Sequence, residues 1–259
     1  MIGRVSSTVP CMVATASRSL LPAGMRRLAF ATSCAAAAAI AGALLATGGA
    51  GQGWLWLHWI GKPLATALIF VLAWRARPAA SPRYRRRVLA GIACSLAGDV
   101  LLMLPGDLFV PGLLAFLCGH LCFIAAFLDD SRFGARPWLL LASLGYGAAN
   151  LALLWDAIGA PLRAPVIVYV AVLAAMAGQA LGRARVFARR GDVQAPAARL
   201  AALGALAFML SDSVLAWNRF HGAIPWSSLW VLSAYYLALW WIARSVRRVD
   251  TASKAGAAK

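Results

Sequence analysis

A chain of 259 residues with 62% hydrophobic and only 13% charged residues is too poor in charge for a soluble domain, in which about a quarter of residues are charged. Its mean hydropathy of +0.75 points to an all-α fold, a polytopic bundle of membrane helices. The net charge of +17 lies between the apolar runs and forms no basic domain, which excludes nucleic acid as the partner, and the runs lack the alternation of barrel strands.

Residues 1–27 are rich in Ser and Thr, contain Arg and lack acids. They are expected to form a cytoplasmic tail ahead of the first membrane helix. Arg26 and Arg27 before an Ala-rich run make a targeting segment or signal peptide the alternative, and Met25 is an alternative start. Eight spans then follow, at 28–48, 54–74, 88–104, 109–128, 137–155, 165–182, 198–217 and 226–243. Each is close to the ~20 residues that cross ~30 Å of hydrocarbon. They make one membrane domain, 28–243, and leave 244–259 as a basic cytoplasmic tail.

The basic residues set the orientation. Four precede residue 28, six lie between Arg75 and Arg87, and two are Arg132 and Arg136; five run from Arg183 to Arg199 and five from Arg244 to Lys259. With both termini cytoplasmic, all of these are inside, and the outer loops keep Arg163 and Arg219. That is the positive-inside asymmetry of a multi-pass protein of the cell (inner) membrane. Trp54, Trp74, Trp138, Trp155, Trp217 and Trp226 stand at span ends as interfacial anchors. Cys11, Cys34, Cys94, Cys118 and Cys122 show no disulfide or metal spacing and are expected to be packing residues.

All eight acidic residues are Asp, and two of them interrupt apolar runs: Asp99 in GIACSLAGDVLLML and Asp212 in GALAFMLSDSVLAW. A carboxylate within a span is costly and marks a functional site by default. Aligning the two also aligns Gly91 with Gly204, a short echo expected of two parallel four-helix halves. Counting residues at a rise of ~1.5 Å puts Asp99, Asp212 and Asn150 about 8 Å below the outer boundary. Lys62, Tyr235 and His120 lie deeper, Asn218, Arg219 and His221 stand at the outer mouth, and Gln179 is the clearest polar group of the inner half. A polar cavity open to the outer face is expected.

Each of these residues also has a plainer reading. Lys62 either snorkels or neutralises an Asp; His120 either orients a reacting group or is a hydrogen-bonded core residue. Asn150, Tyr235 and Tyr236 can serve as interhelical hydrogen-bonding groups. Ser95, four residues before Asp99, shares its helix face and can satisfy it. Two carboxyls close together in a low dielectric would hold one protonated and one ionised group near neutral pH, an acid and a charge stabiliser. Three scattered His, with no HxxxH and no Glu, make a metal site a poor fit, and no cofactor is expected.

Lys62-Pro63-Leu64, SLAGDVLLML (95–104), GLLAFLCGHLCFIAAF (112–127) and FMLSDSVLAWNRF (208–220), in this order and spacing, resemble the YhhN-like lysoplasmalogenase family of eight-span membrane proteins over about residues 54–243. Phe123 stands where that pattern has Tyr. The resemblance implies hydrolysis of the vinyl ether of a lysoplasmalogen to a fatty aldehyde and a glycerophospho-base. The expected roles are acid and charge stabiliser for Asp99 and Asp212, and orientation of a carboxyl or water for His120. Phosphate binding falls to Lys62 or Arg219, with Asn150, Asn218 and Tyr235 lining the substrate site and a lipid as the partner. The rival readings are a proton-coupled transporter or lipid-moving protein using the same Asp pair, a non-catalytic membrane partner, and an ester or amide hydrolase using Ser95 or Ser211.

Overall fold

The computed structural model describes residues 23–48 and 51–249. Most of the expected N-terminal tail (1–22, with Cys11) and the tail beyond 249 lie outside the described residues. Eight helices account for almost everything between: α1 Ala23–Thr47, α2 Leu55–Arg75, α3 Pro82–Met103, α4 Phe109–Phe127, α5 Pro137–Leu154, α6 Ala160–Arg189, α7 Ala195–Ala216 and α8 Ser227–Arg244. Six of them are long and apolar enough to cross a membrane; α3 opens instead with Arg83, Arg85, Arg86 and Arg87.

Local chemistry explains the boundaries. Proline stands in the first turns of α3, α5, α6 and α7, where its missing N–H costs nothing and its fixed φ suits a helix start. Ser81 caps α3, its Oγ accepting from the amides of Arg83 at 3.2 Å and Tyr84 at 3.3 Å. Helix α6 runs past the expected apolar limits of 165 and 182 at both ends. Hydropathy marks where a helix meets lipid, whereas the backbone ladder continues through Arg183, Arg185 and Arg189, all good helix formers.

The polarity of the bundle is inverted relative to a soluble protein. Phe30 and Leu153 are 73% and 71% exposed, while Lys62, Asp99, His120, Gln179 and Arg183 are buried. An apolar exterior around buried charge is what lipid demands of a helical protein. The interior is filled by Ile69, Val88, Ile92, Phe123, Phe127, Phe208, Leu239 and Ile242 with many alanines.

Successive helices pack as neighbours, α1 on α2, α3 on α4, α5 on α6 and α7 on α8, with α2 also on α3 and α6 on α7. Between the halves, α4 meets α6, and α8 meets α1, α2 and α3. Exchanging α1–α4 with α5–α8 turns the α2–α8 crossing into the α4–α6 one. The aligned glycines have matching tasks. Gly91 admits the Phe123 ring of α4, and a Cβ at Gly204 would lie 2.7 Å from the Ala238 carbonyl oxygen of α8. Small residues let helix backbones approach closely.

Candidate active site

A cleft opens near one end of the bundle, lined by residues of α2 through α8. Apolar side chains such as Leu113, Phe116, Leu151 and Val170 form most of its wall, and both Asp99 and Asp212 reach it.

Asp99, in α3, is 1% exposed. Its Oδ2 accepts from Thr66 Oγ1 of α2 at 2.7 Å and from Tyr235 OH of α8 at 2.6 Å. Lys62 Nζ lies 3.4 Å from Oδ1, an oxygen that is buried with no hydrogen-bond partner. Lys62 is itself only 8% exposed, so it neutralises a buried carboxylate and does not snorkel. Lys62 and Thr66 reach the same carboxyl because they are one helical turn apart on α2.

Asp212, in α7, has a different set of partners. Tyr169 OH of α6 donates to its Oδ2 at 2.5 Å, and His120 Nε2 of α4 lies 3.6 Å from the same oxygen. His120 Nε2 and Tyr169 OH are 3.0 Å apart. The His120 ring meets Phe208 edge-on at a centroid distance of 5.0 Å, and its buried Nδ1 has no partner.

Among the described residues, no hydrogen bond joins Asp99 to Asp212; each has its own donors, and they share only the cleft. Ser95 does not satisfy Asp99, because its Oγ donates to the Gly91 carbonyl at 3.0 Å. Ser211 Oγ is similarly engaged, with the Val231 carbonyl at 3.0 Å, and among the described residues neither hydroxyl is hydrogen-bonded to a base that could activate it.

The remaining expected residues separate by location. Asn150 lines the cleft but ties helices together, accepting from Trp217 Nε1 at 2.9 Å and donating to the Tyr146 carbonyl at 3.0 Å. Asn218 Oδ1 caps the Ile224 amide at 2.9 Å, shaping the loop beyond α7. Arg219, at the mouth, binds both oxygens of Asp107 at 2.9 and 3.1 Å and lies over the Phe109 ring. Sequence reading overlooked Thr66 and Tyr169. The one available signal was helical spacing, Thr66 falling four residues after Lys62. Among the described residues, no three His, Cys, Asp or Glu side chains gather as a metal-ligand set.

The YhhN family matches residues 57–246, a stretch holding every polar group of the cleft. The chain belongs to the YhhN family. It is a multi-pass membrane protein, as six long apolar helices and buried charges require. Lysoplasmalogenase TMEM86B of Homo sapiens is 31% identical over 183 residues, covering 71% of this chain and 72% of its own. Lysoplasmalogenase TMEM86A of Homo sapiens is 31% identical over 196 residues, 74% of this chain and 72% of its own. A lysoplasmalogenase of Mycobacterium bovis is 36% identical over 145 residues, 53% and 51% of the two chains. No solved structure matches this YhhN-family chain.

Proposed function

We propose that this chain hydrolyses the vinyl ether bond of lysoplasmalogens, releasing a fatty aldehyde and glycerophosphoethanolamine or glycerophosphocholine. The observation that carries the proposal is the convergence of two separately held carboxyl groups, Asp99 and Asp212, on one largely apolar cleft. Relatives named lysoplasmalogenase support it. All eight helices span the membrane, α3 and α8 included, within a domain of residues 28–243. Both termini are cytoplasmic, the tail from residue 244 is a basic cytoplasmic segment, and the membrane is the cell (inner) membrane.

Vinyl ether hydrolysis begins with proton transfer to the β-carbon, which converts the enol ether to an oxocarbenium ion. Asp212 is the proton donor, with Tyr169 and His120 fixing its orientation. Asp99 supplies negative charge to the cation; Lys62 balances that charge before substrate arrives. Preorganised charge aimed at a developing ion contributes strongly in a water-poor site. Water then adds to the oxocarbenium carbon and its proton returns to Asp212. The hemiacetal collapses to aldehyde and alcohol as its hydroxyl proton passes, through the carboxyl, to the departing glycerol oxygen. The two-carboxyl logic parallels glycoside hydrolysis, which also passes through an oxocarbenium-like state.

The scissile bond sits where the head group of a lysolipid meets its chain. A reaction centre just below the outer end of the bundle therefore leaves the chain among Leu151, Val170 and Leu173. The head group lies at the mouth, where Arg219 and Asp107 offer one charge of each sign to a zwitterion, and Asn150, Asn218 and Tyr235 stay as supports. Transport is less well supported. The polar groups nearer the other end, Gln179 and Arg183, are engaged by the 130–134 turn, Gln179 with Gly134 and Ser131 and Arg183 with Asp130, and belong to no continuation of the cleft.

The deciding experiment incubates purified protein in detergent with lysoplasmenylethanolamine and, separately, its saturated alkyl ether analogue. Aldehyde from the vinyl ether alone is the expected result. No aldehyde from a monodisperse preparation would overturn the proposal.

A further inference from the structure

A second hollow lies at the opposite end of the bundle from the carboxyl cleft. The first turns of α1 and α7 and the last turns of α2 and α8 enclose it. Its floor is apolar, with Leu72, Leu200 and Trp240, and its rim is basic, with Arg244, Arg247 and Arg248.

The rim is built, not frayed. After α8 the chain turns beside the segment following α2: Ala80 N donates to the Val246 carbonyl at 3.0 Å, and Arg248 N to the Pro78 carbonyl at 2.9 Å. Gln194 then clamps the next residue from both sides, its Nε2 donating to the Val249 carbonyl at 3.2 Å and its Oε1 accepting from the Val249 amide at 3.3 Å. Arg247 and Arg248 are thereby held over the hollow, and Arg244 shares a face of α8 with Trp240, one turn earlier.

Most carboxylates of this face are already spoken for, Asp129 by Arg87 and Asp130 by Arg183. Among the described residues, Arg244, Arg247 and Arg248 share with most other arginines there the lack of a carboxylate partner; what sets them apart is that all three line one apolar hollow. Met25, Pro196 and Ala197 bring the first turns of two long helices to the hollow, and helix N-termini favour anions. Three guanidinium groups over an apolar floor between membrane helices match a phosphate carried on a hydrocarbon chain.

We infer that this hollow binds the phosphate head group of an anionic phospholipid, with the first part of an acyl chain lying on Leu72, Leu200 and Trp240. The site is separate from the proposed reaction centre and does not depend on it.

The test uses the full chain in neutral detergent and measures bound lipid by mass spectrometry of the intact complex. The probes are dioleoyl phosphatidylglycerol, dioleoyl phosphatidylcholine and sodium phosphate. Phosphatidylglycerol should be retained at least about tenfold more tightly than phosphatidylcholine, because each basic residue near an anionic lipid contributes ~1 kcal/mol. The triple variant Arg244→Gln, Arg247→Gln, Arg248→Gln should lose that preference. A control removing equal charge from the same face outside the hollow, Arg132→Gln, Arg189→Gln, Arg190→Gln, should keep it. Equal retention of the two lipids by the unaltered chain overturns the inference without any variant. Loss of the preference in the control as well overturns it in favour of general surface attraction. Displacement of phosphatidylglycerol by millimolar phosphate would reassign the site to the free ion.

Discussion

Tyr235 donates to Asp99 across 136 residues of chain, at 2.6 Å, and His120 stands in the corresponding relation to Asp212. In each half the carboxylate is on the third helix. It receives one hydroxyl from the second helix of its own half, Thr66 or Tyr169, and meets one residue from the fourth helix of the other half. The halves thus complete each other's sites. The two centres nevertheless differ in chemistry: one carries an ammonium and two hydroxyl donors, the other an imidazole and a phenol.

Amide substitution tests both centres. Asp99→Asn and Asp212→Asn should each lower turnover by about 10²–10⁴-fold, the usual worth of a positioned acid or base, in protein that remains inserted and monodisperse. Aldehyde release under saturating substrate measures it. Near-normal activity in both variants would remove the carboxyl groups from the reaction.

Removing a donor should have a smaller effect than removing the acceptor. Tyr235→Phe deletes one hydrogen bond to a charged group, worth about 1.5–3 kcal/mol, and should lower kcat by roughly 10–100-fold. Thr66→Val should behave similarly. An unchanged kcat in both would show that the orientation of Asp99 does not limit the reaction.

Lys62→Met should destabilise the bundle by about 3–5 kcal/mol, because it strands a buried carboxylate. Adding Asp99→Asn should recover most of the loss. A double-mutant cycle on melting temperature checks this, and strictly additive losses would argue against a direct Lys62–Asp99 coupling.

Arg219 is bound to Asp107 at an exposed position, so its loss should be tolerated structurally. Arg219→Ala should raise KM for a phosphate-bearing lysolipid by roughly tenfold, the loss of one charge-assisted contact, with little change in kcat, the pattern of lost uniform binding. A fall in kcat at constant KM would place Arg219 in the chemical step instead.

Packing offers a prediction independent of activity. A methyl at Gly204 collides with the Ala238 carbonyl of α8, a backbone atom that cannot rotate away. Gly204→Ala should cost about 1–3 kcal/mol and lower the melting temperature, whereas Gly145→Ala, with nothing within 4 Å of the added carbon, should not.

Much of this was legible in the chain alone. Every expected span corresponds to a helix, because a run of about 20 apolar residues in lipid can satisfy its backbone only by coiling on itself. Asp99 and Asp212 stood out in the chain because an ionisable group in such a run is costly. Thr66 and Tyr169 stayed hidden for the converse reason: a neutral hydroxyl costs little within a helix and leaves no trace in hydropathy. Whether Lys62 reached the interface or a carboxylate, whether Ser95 turned to Asp99 or to its own backbone, and which donors each aspartate met all depended on how the helices rotate and cross. Those angles are set by contacts such as Gly91 with Phe123 and Gly204 with Ala238, between residues far apart in sequence. The sequence by itself therefore determined which segments are helical and which charges interrupt them; the tertiary packing alone decided which groups those charges face.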